Sequence, residues 1–200
     1  MLIKQSKFLI SVANSGKLPE YDAPEIAIAG KSNVGKSSLI NFLVNNKKMA
    51  KTSSTPGRTR LLNYFEINNG EFNLVDLPGY GFAKAPKSEI AKWGEMIEGY
   101  FQNSDKLKNV FVLVDSRHEP TQDDIQLISY FVYYQIPFTI VATKTDKLSR
   151  AQISKSKKLI ADTFRIGTEN VIMTSSEKKT GKEEILSRIE QVLYPEKIEI

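Results

Sequence analysis

An α/β fold is what this sequence predicts: a mostly parallel six-stranded sheet, one strand antiparallel, with helices on both faces. Three observations carry that expectation. Short apolar runs of strand length alternate with longer stretches of helical periodicity, which calls for crossover connections between parallel strands. Asn68-Asn69-Gly70 stands between two strand-like runs and is a strong hairpin signal, so one strand must turn back. A glycine-bounded segment, Gly30 to Ser37, joins the end of an apolar run to the start of a helical one. The 200 residues, 40% hydrophobic and 26% charged, suit one domain over 1–200, with 1–20 and 195–200 peripheral.

Taken in order, residues 1–20 are expected to add an edge strand. Glu25–Gly30 reads as a buried strand, and Lys36–Val44 places Leu39, Ile40, Leu43 and Val44 at helical spacing. Leu61–Ile67 and Glu71–Asp76 flank the turn as an antiparallel pair. Ser88–Gln102 puts Ile90, Trp93, Ile97, Tyr100 and Phe101 on one helical face, which suits packing better than base stacking. A strand at Asn109–Asp115 precedes a helix opening at Thr121-Gln122-Asp123-Asp124, close to a capping box whose carboxylates the helix dipole favours. Phe138–Thr143 reads as a strand, Gln152–Phe164 contains a helix, and Asn170–Thr174 is a further strand. Thr180-Gly181-Lys182-Glu183 is read as a second capping box opening the last helix, and Pro195–Ile200 is expected to fray.

Composition excludes several classes. The absence of cysteine removes disulfides and thiolate metal sites. His118 is the only histidine, so a histidine-rich metal site is excluded, and its loop position suits a structural or partner-facing role. Phe8–Ala13 is too short for a signal-peptide core and Val110–Val114 too short to cross a bilayer, so no membrane span is expected and the cytoplasm is the expected compartment. The net charge of +5 is uneven: Lys144 to Lys182 hold ten Lys or Arg against four Asp or Glu. Lys47, Lys48, Lys51, Arg58 and Arg60 form a second basic cluster. Two basic zones point to an anionic partner, nucleic acid ahead of membrane, with a solvated surface as the plain alternative.

The chemistry lies in three motifs. Gly30-Lys31-Ser32-Asn33-Val34-Gly35-Lys36-Ser37 matches G-x-x-x-x-G-K-[ST] between a strand and a helix, where loop amides and the helix N-terminus cradle phosphates. Lys36 is placed on the β- and γ-phosphates as the catalytic cation, Ser37 on Mg²⁺, and Ser38 near the α-phosphate. Asp76-Leu77-Pro78-Gly79 follows a strand in the form D-x-x-G, with Asp76 holding Mg²⁺ through water and the Gly79 amide sensing the γ-phosphate. Alone this is a weak signal, since Asp, Pro and Gly make turns. Thr143-Lys144-Thr145-Asp146 follows another buried strand. Asp146 there would accept from guanine N1–H and the exocyclic amine, a donor pair adenine lacks, while the Lys144 stem packs on base and ribose and its amine braces the loop. Thr174-Ser175-Ser176 closes the last strand near guanine O6.

In this order and spacing the motifs specify a guanine nucleotide with magnesium. An ATP-using kinase would leave Thr143–Asp146 unexplained. Thr52, Thr55 and Thr59 all lie in the loop before the Leu61 strand and are open candidates for a further hydroxyl on the metal; Thr59 lies nearest that strand and after the Pro56-Gly57 turn. Where some GTPases place a water-orienting glutamine after D-x-x-G, this chain has Tyr80 and Gly81, with no glutamine before Gln102, so weak intrinsic hydrolysis is expected.

These segments, with Thr52–Thr59, Asp76–Ala83 and Val114-Asp115-Ser116-Arg117-His118, resemble the bacterial EngB family, also called YihA or YsxC, among the translation-factor-related P-loop GTPases. The resemblance covers about 25 to 193, and Asp76–Ala83 is its most specific part. It implies a P-loop GTPase domain without an extra domain, Thr59 as the switch threonine, and Gly57, Arg58, Thr59, Arg60 and Leu61 lining the nucleotide. It also implies a switch in large (50S) ribosomal subunit assembly, with ribosomal RNA and proteins as partners and a link to septation and cell division. DNA is not an expected partner, and nothing demands more than a monomer. Related potassium-stimulated GTPases carry Asn at the place of Asn33, which implies K⁺ near the β- and γ-phosphates; a plain turn-forming role is the alternative. A nucleotide-gated scaffold for division or ribosomal proteins, hydrolysis being incidental, is the second functional expectation.

Overall fold

The computed structural model describes residues 1–13, 16–50, 61–81 and 87–197, without the side chains of Lys87, Glu89, Ile90 and Lys197. Seven strands make one sheet: β1 (Ser6–Val12), β2 (Glu25–Gly30), β3 (Leu62–Ile67), β4 (Phe72–Asp76), β5 (Leu107–Asp115), β6 (Phe138–Thr143) and β7 (Val171–Met173). Their spatial order is β1-β3-β4-β2-β5-β6-β7. From β4 to β7 every neighbour is parallel. Only β3 runs against the rest, antiparallel to both β1 and β4. The edge strand expected from residues 1–20 is β1, which brings the six expected strands to seven.

The hairpin between β3 and β4 works because Asn68, Asn69 and Gly70 all take positive φ, 51°, 57° and 90°. Asn68 also explains why β1 forms. Its carboxamide accepts from the Lys4 and Gln5 amides at 2.8 and 3.2 Å and donates to the Leu2 carbonyl at 2.9 Å, pinning the strand's approach to the hairpin.

Five helices cover the sheet: α1 (Lys36–Leu43), α2 (Lys87–Asn103), α3 (Gln122–Tyr133), α4 (Arg150–Phe164) and α5 (Lys182–Leu193). Every residue of β2 is buried, so both its faces need cover. Ala27 and Ala29 face the core built by Tyr100 of α2, Phe131 of α3 and Ile160 of α4. Ile26 and Ile28 face the other core, with Leu39 and Ile40 of α1 and Ile185 and Ile189 of α5. Small residues on one side and branched ones on the other match the bulk of what packs against them.

Helix starts follow local chemistry. The Asp124 carboxylate accepts from the Thr121 amide and hydroxyl, both at 2.7 Å, at the start of α3. Ser149 and Gln152 form a reciprocal capping box on α4, which therefore begins at Arg150. The capping box expected at Thr180 is not there. Gly181 is the N-cap of α5, at φ 80° and with no side-chain cap, while Thr180 pairs backbone-to-backbone with Ser175. A Cβ on Gly181 would stand 2.4 Å from the Met173 carbonyl, so only glycine lets the chain fold back this closely. The tail runs as a short 3₁₀ turn, Pro195–Lys197.

Candidate nucleotide site

The carboxyl ends of β2, β4, β6 and β7 share one edge of the sheet, where open α/β sheets bind their ligands. Gly30 ends β2 without room for a side chain: a Cβ would meet Val34 Cγ1 at 2.8 Å. The loop then turns through Asn33 at φ 64° and Gly35 at φ 113°, and Gly35 caps α1 without any side-chain bond. The first-turn amides of α1 are thus left for an anion. Lys31 and Ser32 lie beside the D-x-x-G segment: the Ser32 amide donates to the Tyr80 carbonyl at 2.9 Å, and a Cβ on Gly79 would sit 3.0 Å from Ser32 Oγ.

Lys36 Nζ stands 3.8 Å from Asp76 Oδ1, and both side chains are largely buried. That same Oδ1 has no hydrogen-bond partner. Burial pushes the Asp76 carboxyl up, against the pull of Lys36. A buried acceptor with one cation close by and a lone pair unspent fits a hydrated divalent ion. Leu77 and Pro78 are buried behind it, and the Leu77 amide is tied to the Ile28 carbonyl at 3.0 Å.

The base side is more fully built. Thr143 Oγ1 donates to the Val34 carbonyl at 2.7 Å, fixing β6 to the loop. Lys144, at φ 63°, reaches the Asn33 carbonyl at 2.8 Å and Asp115 Oδ2 at 2.9 Å. Arg117 clamps Asp115 from two nitrogens at 2.9 and 2.8 Å. Burial would push the Asp115 carboxyl up, but bonds from Arg117 and Lys144 hold it well below the usual carboxylate range. The buried Thr145 donates its amide to the Thr174 carbonyl at 3.2 Å. Asp146 Oδ1 accepts from Ser175 Oγ at 2.7 Å and its Oδ2 lies 3.0 Å from Lys147 Nζ, which together keep its carboxyl low and charged.

A cavity of about 610 Å³ opens among Val34, Gly35, Ser38, Thr143, Lys144, Asp146 and Ser176. Of the three residues expected near guanine O6, only Ser176 lines it: Thr174 spends its hydroxyl on the Thr180 carbonyl at 2.7 Å and Ser175 on Asp146. Thr59, Gly57, Arg58 and Arg60, with Thr52 and Thr55, lie outside the described residues; Leu61, half-buried, leads into β3. Asp115 was missed as a partner of Lys144, because the two are 29 positions apart. Asn41, Phe42, Asn45 and Lys47 were also missed as the cavity's second wall. The signal for that wall was Asn41, a carboxamide on an apolar helix face. It is buried and ties the chain after α1 through the Lys47 and Ala50 carbonyls at 3.2 and 2.9 Å.

Among the described residues no cluster of three or more His, Cys, Asp or Glu could hold a metal, and no helix is long and apolar enough to cross a membrane. Residues 25–144 match the family model described as 50S ribosome-binding GTPase. The chain is 46% identical over 201 residues to a "Probable GTP-binding protein EngB" from Desulforamulus reducens, covering 100% of this chain and 98% of that one. A protein of the same name from Clostridium kluyveri is 50% identical over 194 residues, covering 96% of this chain and 98% of that one. A crystal structure titled as an engB GTP-binding protein superposes with a TM-score of 0.71 at 24% identity, over 86% of this chain and 99% of that one. The GTPase Era, solved with MgGDPNP and nucleotides 1506–1542 of 16S ribosomal RNA, shares the fold at a TM-score of 0.64 and 24% identity, over 86% of this chain and 57% of that one.

Proposed function

This chain belongs to the EngB family of GTP-binding proteins, a family of GTPases, and from that premise we propose that it is a magnesium-dependent GTP switch of large ribosomal subunit assembly. The observation that supports it best is the pairing of two half-sites on one sheet edge. Lys36 beside the unsatisfied Asp76 oxygen forms one. Asp146, oriented by Ser175 across the cavity from the loop, forms the other. In this reading Gly30–Ser38 cradle the phosphates and Asp146 accepts from the guanine edge, with Lys144 as the flat wall. Ser37, Thr59 and, through water, Asp76 would hold Mg²⁺, which supplies charge neutralisation at the β- and γ-oxygens. Gly57–Leu61 complete the nucleotide's cover, and Leu77-Pro78-Gly79 carry the γ-phosphate sensor.

Slow hydrolysis follows from Tyr80. It stands where a water-orienting side chain would, and its hydroxyl is already spent on Asp124 at 2.6 Å. K⁺ near Asn33 would add a second positive charge to that of Lys36 at the β- and γ-phosphates. The working unit is one G domain with β1 as its edge strand, a cytoplasmic monomer, and a need for it in septation would follow from ribosome supply. Precursor particles of the large subunit are the partner, met through phosphates by the basic zone from Lys144 to Lys182. Co-sedimentation with such particles tests this. Retention with a non-hydrolysable GTP analogue should exceed that with GDP by about tenfold, a differential of about 1.4 kcal/mol. Equal retention in both states would contradict a switch.

A further inference from the structure

The D-x-x-G segment is fastened at a point that no phosphate contact requires. Tyr80 is 5% exposed, and its hydroxyl donates to Asp124 Oδ1 at 2.6 Å, across 44 positions of sequence. Asp124 is 5% exposed as well, and its other oxygen is taken by the amide and hydroxyl of Thr121, so the carboxylate is fully engaged at the start of α3. On the other side, the ring of Tyr80 meets Trp93 of α2 edge-on, 5.9 Å between centroids, and Trp93 Nε1 donates to the Pro78 carbonyl at 2.9 Å. A third, exposed strand of contact runs beside these: Lys31 crosses Gly81 and its amine lies 3.6 Å from Asp123.

Two of these contacts bracket Gly79. Pro78 is held by Trp93 and Tyr80 by Asp124, while Gly79 itself is pressed on Ser32 of the loop. We propose that Tyr80 and Asp124 are positioning residues for the γ-phosphate. Their buried bond presets the Gly79 amide beside the loop, and with Trp93 it makes α2 and α3 move as one with that amide. The aromatic residue in the glutamine's place therefore acts away from the reacting atoms, and orientation of water falls to main chain and cation. This rests on the proposed GTP reading of the same site. Loss of such a tether differs from loss of an α- or β-phosphate ligand, which GDP and GTP would both feel. GDP, which lacks the γ-phosphate, should be indifferent to it, while GTP should now have to order the segment on binding.

Tyr80→Phe tests the claim, since it removes one oxygen and keeps the ring on Trp93; Asp124→Asn is the partner variant, and the double variant closes the cycle. Affinities for GDP and for a non-hydrolysable GTP analogue are measured by calorimetry, with Trp93, the only tryptophan, read by its emission in each state. The expected result is GDP affinity within twofold of the parent and analogue affinity down about tenfold. The Trp93 difference between states should shrink, and the double variant should be no worse than the singles. Analogue affinity unchanged in both variants, or GDP and analogue affinity lost in parallel, would overturn the tether. A parent protein that binds neither nucleotide would instead overturn the GTP reading itself.

Discussion

At the scale of single residues, the site is organised by groups that spend their bonds on each other before any ligand arrives. Lys144 is the clearest. Its charge is divided between Asp115 and the Asn33 carbonyl, so what it would offer a base is a hydrocarbon stem rather than a free cation. The placement of Lys144 and Asp146 directly after a buried strand was legible in the sequence, because the apolar run of β6 and the turn that follows share one short window. Asp115 and Asp124 have local partners in Arg117 and Thr121, but their bonds to Lys144 and Tyr80 cross 29 and 44 positions, which no short window contains. Asn33 is exposed at φ 64° with its carbonyl taken, which leaves its side chain for a cation. Single-turnover hydrolysis should therefore run on the order of tenfold faster in KCl than in NaCl, as expected for added charge at the phosphates. Asn33→Ala should erase that difference. Equal rates of the parent in both salts would remove K⁺ from the account.

At the scale of elements, order and type were readable because buried parallel strands and amphipathic helices repeat distinct periods. Element ends were less so. Thr180 has the composition of a cap, yet the close approach of Gly181 to the Met173 carbonyl decides where α5 starts. The chain there carries Ser175, whose hydroxyl orients Asp146, so one glycine bears on both stability and base recognition. Gly181→Ala meets φ 80° and a 2.4 Å contact with backbone, and should cost about 3 kcal/mol. Thermal unfolding should shift down by about 10 °C in a chain of this length, with a parallel loss of GDP affinity. A melting temperature unchanged within 2 °C or so would refute the conformational argument. β1 was the least legible strand, since four of its seven residues are exposed and its place is set by Asn68 in the distant hairpin.

At the scale of the whole molecule, the two halves of the site sit on one edge of the sheet while the basic zone runs outward along α4. Arg150, Lys155 and Lys158 are exposed and Lys157 half-buried on that helix, against Asp162 as its one acid. None of these four is paired with a carboxylate among the described residues, which suits a phosphate backbone. Reversing Lys155 and Lys158 to Glu should weaken binding to ribosomal RNA and lower the salt slope by about 1 to 2, leaving GDP affinity intact. An unchanged slope would place the contact elsewhere. Guanine selectivity in the proposed site rests on one carboxylate, Asp146, across the cavity from the loop that would cradle the phosphates. Its most direct test is competition of GTP, GDP and ATP for a labelled GDP analogue, in the parent and in Asp146→Asn. GTP and GDP should displace the probe about a hundredfold better than ATP, the worth of two charge-assisted hydrogen bonds, and Asp146→Asn should transfer that preference to xanthine nucleotides. Displacement by ATP within tenfold of GTP, or an Asp146→Asn protein that still prefers guanine, would contradict it.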